Sequence, residues 1–143
     1  VVRLDEEIFS QDRYYYLRPR AGEKVPIQIL NFRRVFAAWS PKLKNTLYFE
    51  KAPEEPEEEG LKRVREIVLL QVYDWLAGRE GLVELTEPEF EQFMGIYEAF
   101  LRQSGEIRYS RKKKGRKNEN LFELQESPYI IREVRKGPFS DKL

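Results

Sequence analysis

Residues 61–77 read Leu-Lys-Arg-Val-Arg-Glu-Ile-Val-Leu-Leu-Gln-Val-Tyr-Asp-Trp-Leu-Ala, and the fold class turns on how this run is taken. Leu61, Val64, Val68, Val72, Trp75 and Leu76 recur at helical spacing and make one face, widened by Ile67, Leu69 and Leu70. Glutamates before it, the last being Glu57, Glu58 and Glu59, would favour a helix N-terminus through the macrodipole, and Gly78 stands where a C-terminal cap belongs. The spacing predicts a helix over 61–77 that forms the axis of the core.

A second helix follows from local chemistry. Thr86-Glu87-Pro88-Glu89 has the form of a capping box with proline in the first turn. The helix it opens carries Phe90, Phe93, Met94, Tyr97, Phe100 and Leu101 on one face and ends before Gly105. Between the two helices, Leu82 to Leu85 reads as a short strand or extended link. Upstream, Arg13 to Arg18 and Pro26 to Leu30 are rich in aromatic and β-branched residues and flank turn chemistry, which predicts a hairpin. Asn31 can cap a short helix with Phe32, Val35, Phe36 and Trp39 at i, i+3, i+4 and i+7, stopped by Ser40-Pro41; Thr46 to Glu50 then reads as a strand. The expected class is α+β: a small antiparallel sheet with two main amphipathic helices in a single domain over 1–143. Residues 52–60, with five Glu and two Pro, read as a linker. Ser127 to Val134 suits either a Ser-capped helix or a strand, the β-branched content favouring strand, and residues from Gly137 onward read as a mobile tail or arm.

Composition removes whole classes of chemistry. With no Cys and no His, thiol nucleophiles, zinc-thiolate sites and the commonest general base are all missing. Neither a Gly-x-Gly-x-x-Gly fingerprint nor a Walker loop is present. The spacing Ser110-x-x-Lys113 matches that of serine acyl enzymes by chance, since further cations surround it and no companion motif exists. The four Asp are scattered, whereas 21 Glu offer so many pairs that a carboxylate enzyme is left open as the last alternative. No cofactor is expected. The chain has no apolar run near transmembrane length, and Val1-Val-Arg-Leu-Asp-Glu-Glu7 lacks signal-peptide character, so a cytoplasmic location and no membrane partner are expected.

Charge is unevenly spread. The formal net charge is only +1, but seven of the ten residues from Arg108 to Lys117 are basic. They are Arg108, Arg111, Lys112, Lys113, Lys114, Arg116 and Lys117, lying between the alternating runs Glu106 to Ser110 and Asn120 to Leu124. A β-hairpin tip with Gly115 at its turn would present these charges to phosphates or to an acidic protein surface; a solvated loop is the plain alternative. Tyr14, Tyr16 and Arg18 form a second candidate contact, since Tyr14 and Tyr16 would share one strand face suited to base stacking, as they would equally suit ordinary sheet packing. Trp39 and Trp75 fall on the apolar faces of their predicted helices and are expected in the core. Glu54 to Glu59 could mimic phosphate, although a solvated linker is the commoner meaning of such a run.

Abundant Glu and Arg with scarce Asn, Met and Cys resemble the usage of heat-adapted organisms and their viruses. Taken with the size, the acidic linker and the basic hairpin, the chain resembles the accessory proteins with which thermophilic bacteriophages redirect host transcription, such as the Thermus phage inhibitor and antiterminator that binds RNA polymerase. The resemblance implies a non-enzymatic transcription regulator docking on RNA polymerase, and assigns no residue a role. Direct nucleic-acid binding through the basic hairpin and a virion structural or assembly role are the alternatives; a monomer is expected.

Overall fold

In the computed structural model, which describes residues 15–52, 60–103 and 105–126, the run from Lys62 to Asp74 is a β-strand. The helix expected over 61–77 is therefore overturned. Ile67 to Val72 are buried in unbroken succession because this strand lies inside the sheet with both faces covered, so it shows no alternation. Its partly helical spacing is coincidental.

The strands are β1 (Val25–Ser40), β2 (Asn45–Phe49), β3 (Lys62–Asp74), β4 (Arg79–Leu85), β5 (Glu106–Lys114) and β6 (Lys117–Gln125), with helix α1 (Glu87–Arg102) between β4 and β5. All strand pairings are antiparallel, in the order β4-β3-β1-β5-β6, with β2 also on β1. The expected α+β class with two main helices gives way to a mostly antiparallel six-stranded sheet with one helix. The short helix expected from Asn31 is also overturned: Phe32, Val35, Phe36 and Trp39 all lie in β1, paired with β3.

Strand β1 organises the sheet. One edge pairs with β3 along most of its length; the other takes β5 at Val25 to Ile27 and β2 at Phe36 to Ser40. The register with β3 slips between Ile29 and Asn31, leaving Leu30 as an extra residue. This slip reverses the phase of the strand. Ile27 and Ile29 before it, and Phe32 after it, pack with Val68, Leu70, Val72, Val83, Leu85 and Phe93 on the helix side. Val35 and Ala37 join Ile67, Leu69, Leu82 and Tyr48 on the opposite side.

Helix α1 forms as its sequence predicts. The Thr86 side chain accepts from the Glu89 N–H, and the Glu89 side chain accepts in return from the Thr86 N–H at 2.8 Å. Phe93 is fully buried, stacked on Tyr97 and edge-on to Phe122. The side chain of Gln92 serves the free edge of β6, donating to the Phe122 carbonyl at 2.6 Å and accepting its N–H at 3.0 Å. Thus the helix both fills one side of the sheet and covers an edge strand.

Two further expectations are corrected. The hairpin expected between Arg13 to Arg18 and Pro26 to Leu30 is not formed by the described part of the first run, residues 15–18; Tyr15 to Leu17 run parallel to β4, with the Leu82 N–H donating to the Tyr15 carbonyl at 2.8 Å and the Leu17 N–H to the Leu82 carbonyl at 3.1 Å. Trp39 and Trp75 are not core residues; each keeps 38% of its surface exposed, Trp39 near the end of β1 and Trp75 in the turn just past β3. The acidic segment from 53 to 59, Ser127 to Val134 and the tail from 137 lie outside the described residues. No helix among the described residues is long and apolar enough to cross a membrane.

A candidate anion-binding cleft at the basic hairpin

Strands β5 and β6 pair in continuous register from Glu106↔Gln125 to Lys114↔Lys117, so the turn is only Gly115-Arg116. Gly115 has φ +64°, the positive value that two-residue hairpin turns require at their first position. Near the sheet the hairpin is anchored by Ile107, Tyr109 and Phe122, all buried; beyond Ser110 its side chains are increasingly exposed. Six of the seven basic residues, Arg111 to Lys114, Arg116 and Lys117, lie on that projecting half. Its apolar root and charged tip are both fixed by the alternation of the sequence.

The sheet curls so that its last strand meets its first. The Asn120 side chain donates to the Glu84 carbonyl of β4 at 2.8 Å and accepts from the Tyr109 hydroxyl at 2.5 Å, while its backbone N–H donates to Glu89 Oε2 at 2.6 Å. An open cleft of about 670 Å³ lies where these parts converge. The hairpin supplies one wall through Arg111, Lys114, Lys117 and Asn118; Tyr16, Arg18, Thr46 and Arg65 contribute from the other elements.

Five cationic and three acidic side chains line the cleft, leaving it net positive. Two of the three carboxylates are committed. Glu84 accepts from Arg65 at 2.8 Å and from the Tyr48 hydroxyl, and Tyr48 in turn accepts from Tyr16 at 2.6 Å because its own proton is used on Glu84. Glu89 holds the two backbone N–H groups of Thr86 and Asn120. Burial, reinforced by the neighbouring Glu84 charge, raises the Tyr48 hydroxyl far above the ordinary tyrosine value, and burial does the same to Tyr16 and Tyr109. These hydroxyls are structural donors at neutral pH.

The cations on the hairpin are differently placed. Among the described residues, no carboxylate lies within ion-pairing distance of Arg111, Lys112, Lys113, Lys114, Arg116 or Lys117. Arg111 Nε is buried and has no hydrogen-bond partner among the described residues, leaving a charged donor unsatisfied beside the cleft. Arg18 lies over the Tyr16 ring, its guanidinium carbon 5.9 Å from the centroid.

Of the residues singled out in the sequence, Tyr16, Arg18, Arg111, Lys114 and Lys117 meet at this cleft. Lys112, Lys113 and Arg116 are exposed on the hairpin outside it. Arg108 is set apart, bonded to Glu106 through Nε at 2.7 Å and Nη2 at 2.6 Å, and Tyr14 lies outside the described residues. Thr46, Arg65, Asn118 and Asn120 were not singled out from the sequence. Asn118 and Asn120 do alternate on β6 opposite Lys113 and Arg111, a signal that the hairpin pairing makes readable. Among the described residues, no three acidic groups converge as metal ligands. No known protein family, curated protein or solved structure matches this chain.

Proposed function

We propose that this chain is a non-enzymatic binding protein of nucleic-acid machinery, which holds phosphate backbone with its β5–β6 hairpin. The observation that carries this reading is the set of six hairpin cations, Arg111 to Lys114, Arg116 and Lys117, for which no carboxylate among the described residues is in ion-pairing reach. Cations held apart from internal partners keep their charge available for phosphate, and releasing condensed counterions then drives binding. The two-residue turn supports the geometry, since a ribbon paired as far as Lys114↔Lys117 carries its charge out from the sheet.

The test is affinity for short DNA and RNA over a range of salt. Log affinity should fall linearly with log salt, by roughly 0.7 to 0.9 per phosphate neutralised, and replacing Lys112, Lys113 and Lys114 with Ala should reduce that slope by up to about three contacts' worth. Absent or salt-insensitive binding overturns the reading.

A second reading, a transcription regulator docked on RNA polymerase, is favoured by the exposure of Trp39, Trp75 and Leu76. Exposed tryptophans are strong protein-interface anchors. Affinity capture from a thermophilic lysate, with and without nuclease, separates the two: polymerase subunits kept after nuclease support docking, and partners lost with nuclease support direct binding.

A further inference from the structure

We infer that the cleft beside the hairpin holds a single nucleotide unit, its phosphate against Arg111, Lys114 and Lys117 and its base toward Tyr16 and Asn118, so that the preferred nucleic acid is single-stranded. This rests on the proposed phosphate binding and adds where the strand lies and in what form.

Three observations carry it. The first is shape. A cleft of about 670 Å³ falls within the range of about 300–1,000 Å³ that holds nucleotide-sized ligands, and it is concave, whereas a duplex is read by a convex element entering a groove. A duplex would be left to the outer cations of the hairpin, Lys112, Lys113 and Arg116.

The second is the charge arrangement. Arg111, Lys114 and Lys117 enter the cleft from the hairpin and Arg18 from the segment along β4, so a phosphate inside gains cations from two separate elements. Lys112 and Lys113 belong to the same hairpin but do not line the cleft, which divides the basic run into an inner and an outer set.

The third is the buried Arg111 Nε. Its lack of an acceptor means that no carboxylate or carbonyl among the described residues already holds that side of the guanidinium, and because Arg111 lines the cleft and is only partly buried, an anionic oxygen there would meet the accessible part of the same cation with the strength of a charge-assisted bond. The N-terminus of α1 adds little, since Thr86 and Glu89 already cap it. For the base, the Arg18 guanidinium over the Tyr16 ring offers a flat cationic surface, and the Asn118 amide offers both a donor and an acceptor.

The experiment is fluorescence anisotropy on the full chain with three probes at low salt: labelled oligo-dT, the matching labelled duplex, and free dTMP as competitor. The expected result is that oligo-dT binds at least about tenfold more tightly than duplex. Lys114→Gln with Lys117→Gln should weaken oligo-dT binding about tenfold or more. Lys112→Gln with Lys113→Gln removes the same charge from the same hairpin and should cost no more than about threefold. Arg111→Lys, which keeps the charge and loses the fork, should weaken binding about tenfold, with circular dichroism verifying the fold. Displacement by dTMP at concentrations comparable to those of the oligonucleotide, expressed per nucleotide, would identify a free nucleotide as the ligand; displacement only at large excess would identify a strand. Equal losses from the inner and outer pairs, or equal affinity for duplex, overturn the inference and leave the phosphate-binding hairpin standing. No binding of any probe overturns both.

Discussion

Glu89 and Asn120, 31 positions apart, are joined by a 2.6 Å hydrogen bond from the Asn120 backbone N–H to Glu89 Oε2, while the other carboxylate oxygen caps the first turn of α1. One buried side chain therefore ends a helix and fixes the hairpin that carries the basic tip. Glu89→Gln leaves only one oxygen for two donors and should destabilise the protein by about 1–2 kcal/mol; Glu89→Ala, by about 2–3 kcal/mol. Urea unfolding reads the total, and amide exchange at Asn120 reads the local part. An unchanged Asn120 exchange rate in Glu89→Gln would show that the hairpin is held by other contacts.

Gly81 makes room for the segment along β4. A Cβ there would collide with the Leu17 side chain and lie 2.7 Å from Tyr15 Cδ2 and 3.1 Å from the Tyr15 carbonyl oxygen. Tyr15 is otherwise held by its hydroxyl bond to Asp74 at 2.9 Å and by the Arg79 guanidinium 4.4 Å above its ring. Gly81→Ala should cost about 1–3 kcal/mol by overpacking. The amides of Leu17 and Leu82 should exchange faster while those of the β5–β6 ladder do not. Oligonucleotide affinity should fall as well, because Arg18 follows directly on the displaced residues.

Signals that are local and chemical were legible in the sequence; those that depend on what covers a surface were not. The Thr86 to Glu89 cap announced α1 because both partners lie within one turn. The β5–β6 hairpin was legible because Ile107, Tyr109, Phe122 and Leu124 alternate with polar residues. In β3 burial on both faces erased alternation, and in β1 from Phe32 to Trp39 apolar residues also fall on both faces, with a second register slip between Ala37 and Trp39, so both matched a helical template in part. The β-branched Val64, Ile67, Val68 and Val72 were the available arbiters in favour of strand. At the cleft, the hairpin cations were visible, but Arg65 and Thr46 came from elements misassigned or unpaired in that reading.

Trp39 and Trp75 provide an independent check on the corrected fold. At 38% exposure each, one near the end of β1 and the other in the turn after β3, both should emit toward the red and be open to acrylamide quenching. Had residues 61–77 been the core helix, Trp75 would emit toward the blue and resist the quencher. Trp39→Phe and Trp75→Phe, measured singly, separate the two signals and should each cost no more than about 1 kcal/mol, since neither fills a sealed core position.

Alkaline stability should report the tyrosine network directly. Burial raises Tyr16, Tyr48 and Tyr109 above the ordinary tyrosine value, with the Glu84 charge reinforcing the shift at Tyr48 and the Glu89 charge at Tyr109. An acid whose folded value is raised holds its proton in the native state after the unfolded chain has lost it. Its stabilising contribution is therefore complete below about pH 10 and is lost as pH rises above that point, by about 1.4 kcal/mol per pH unit for each tyrosine. Unfolding midpoints in urea should be flat through neutral pH as far as these groups are concerned, then fall steeply above about pH 10. Tyr48→Phe removes one titrating hydroxyl along with its bonds to Glu84 and Tyr16, so it should lower the neutral plateau by about 1–3 kcal/mol yet make the alkaline fall shallower. An equally steep fall in Tyr48→Phe would mean that Tyr48 is not among the groups whose ionisation opposes the fold.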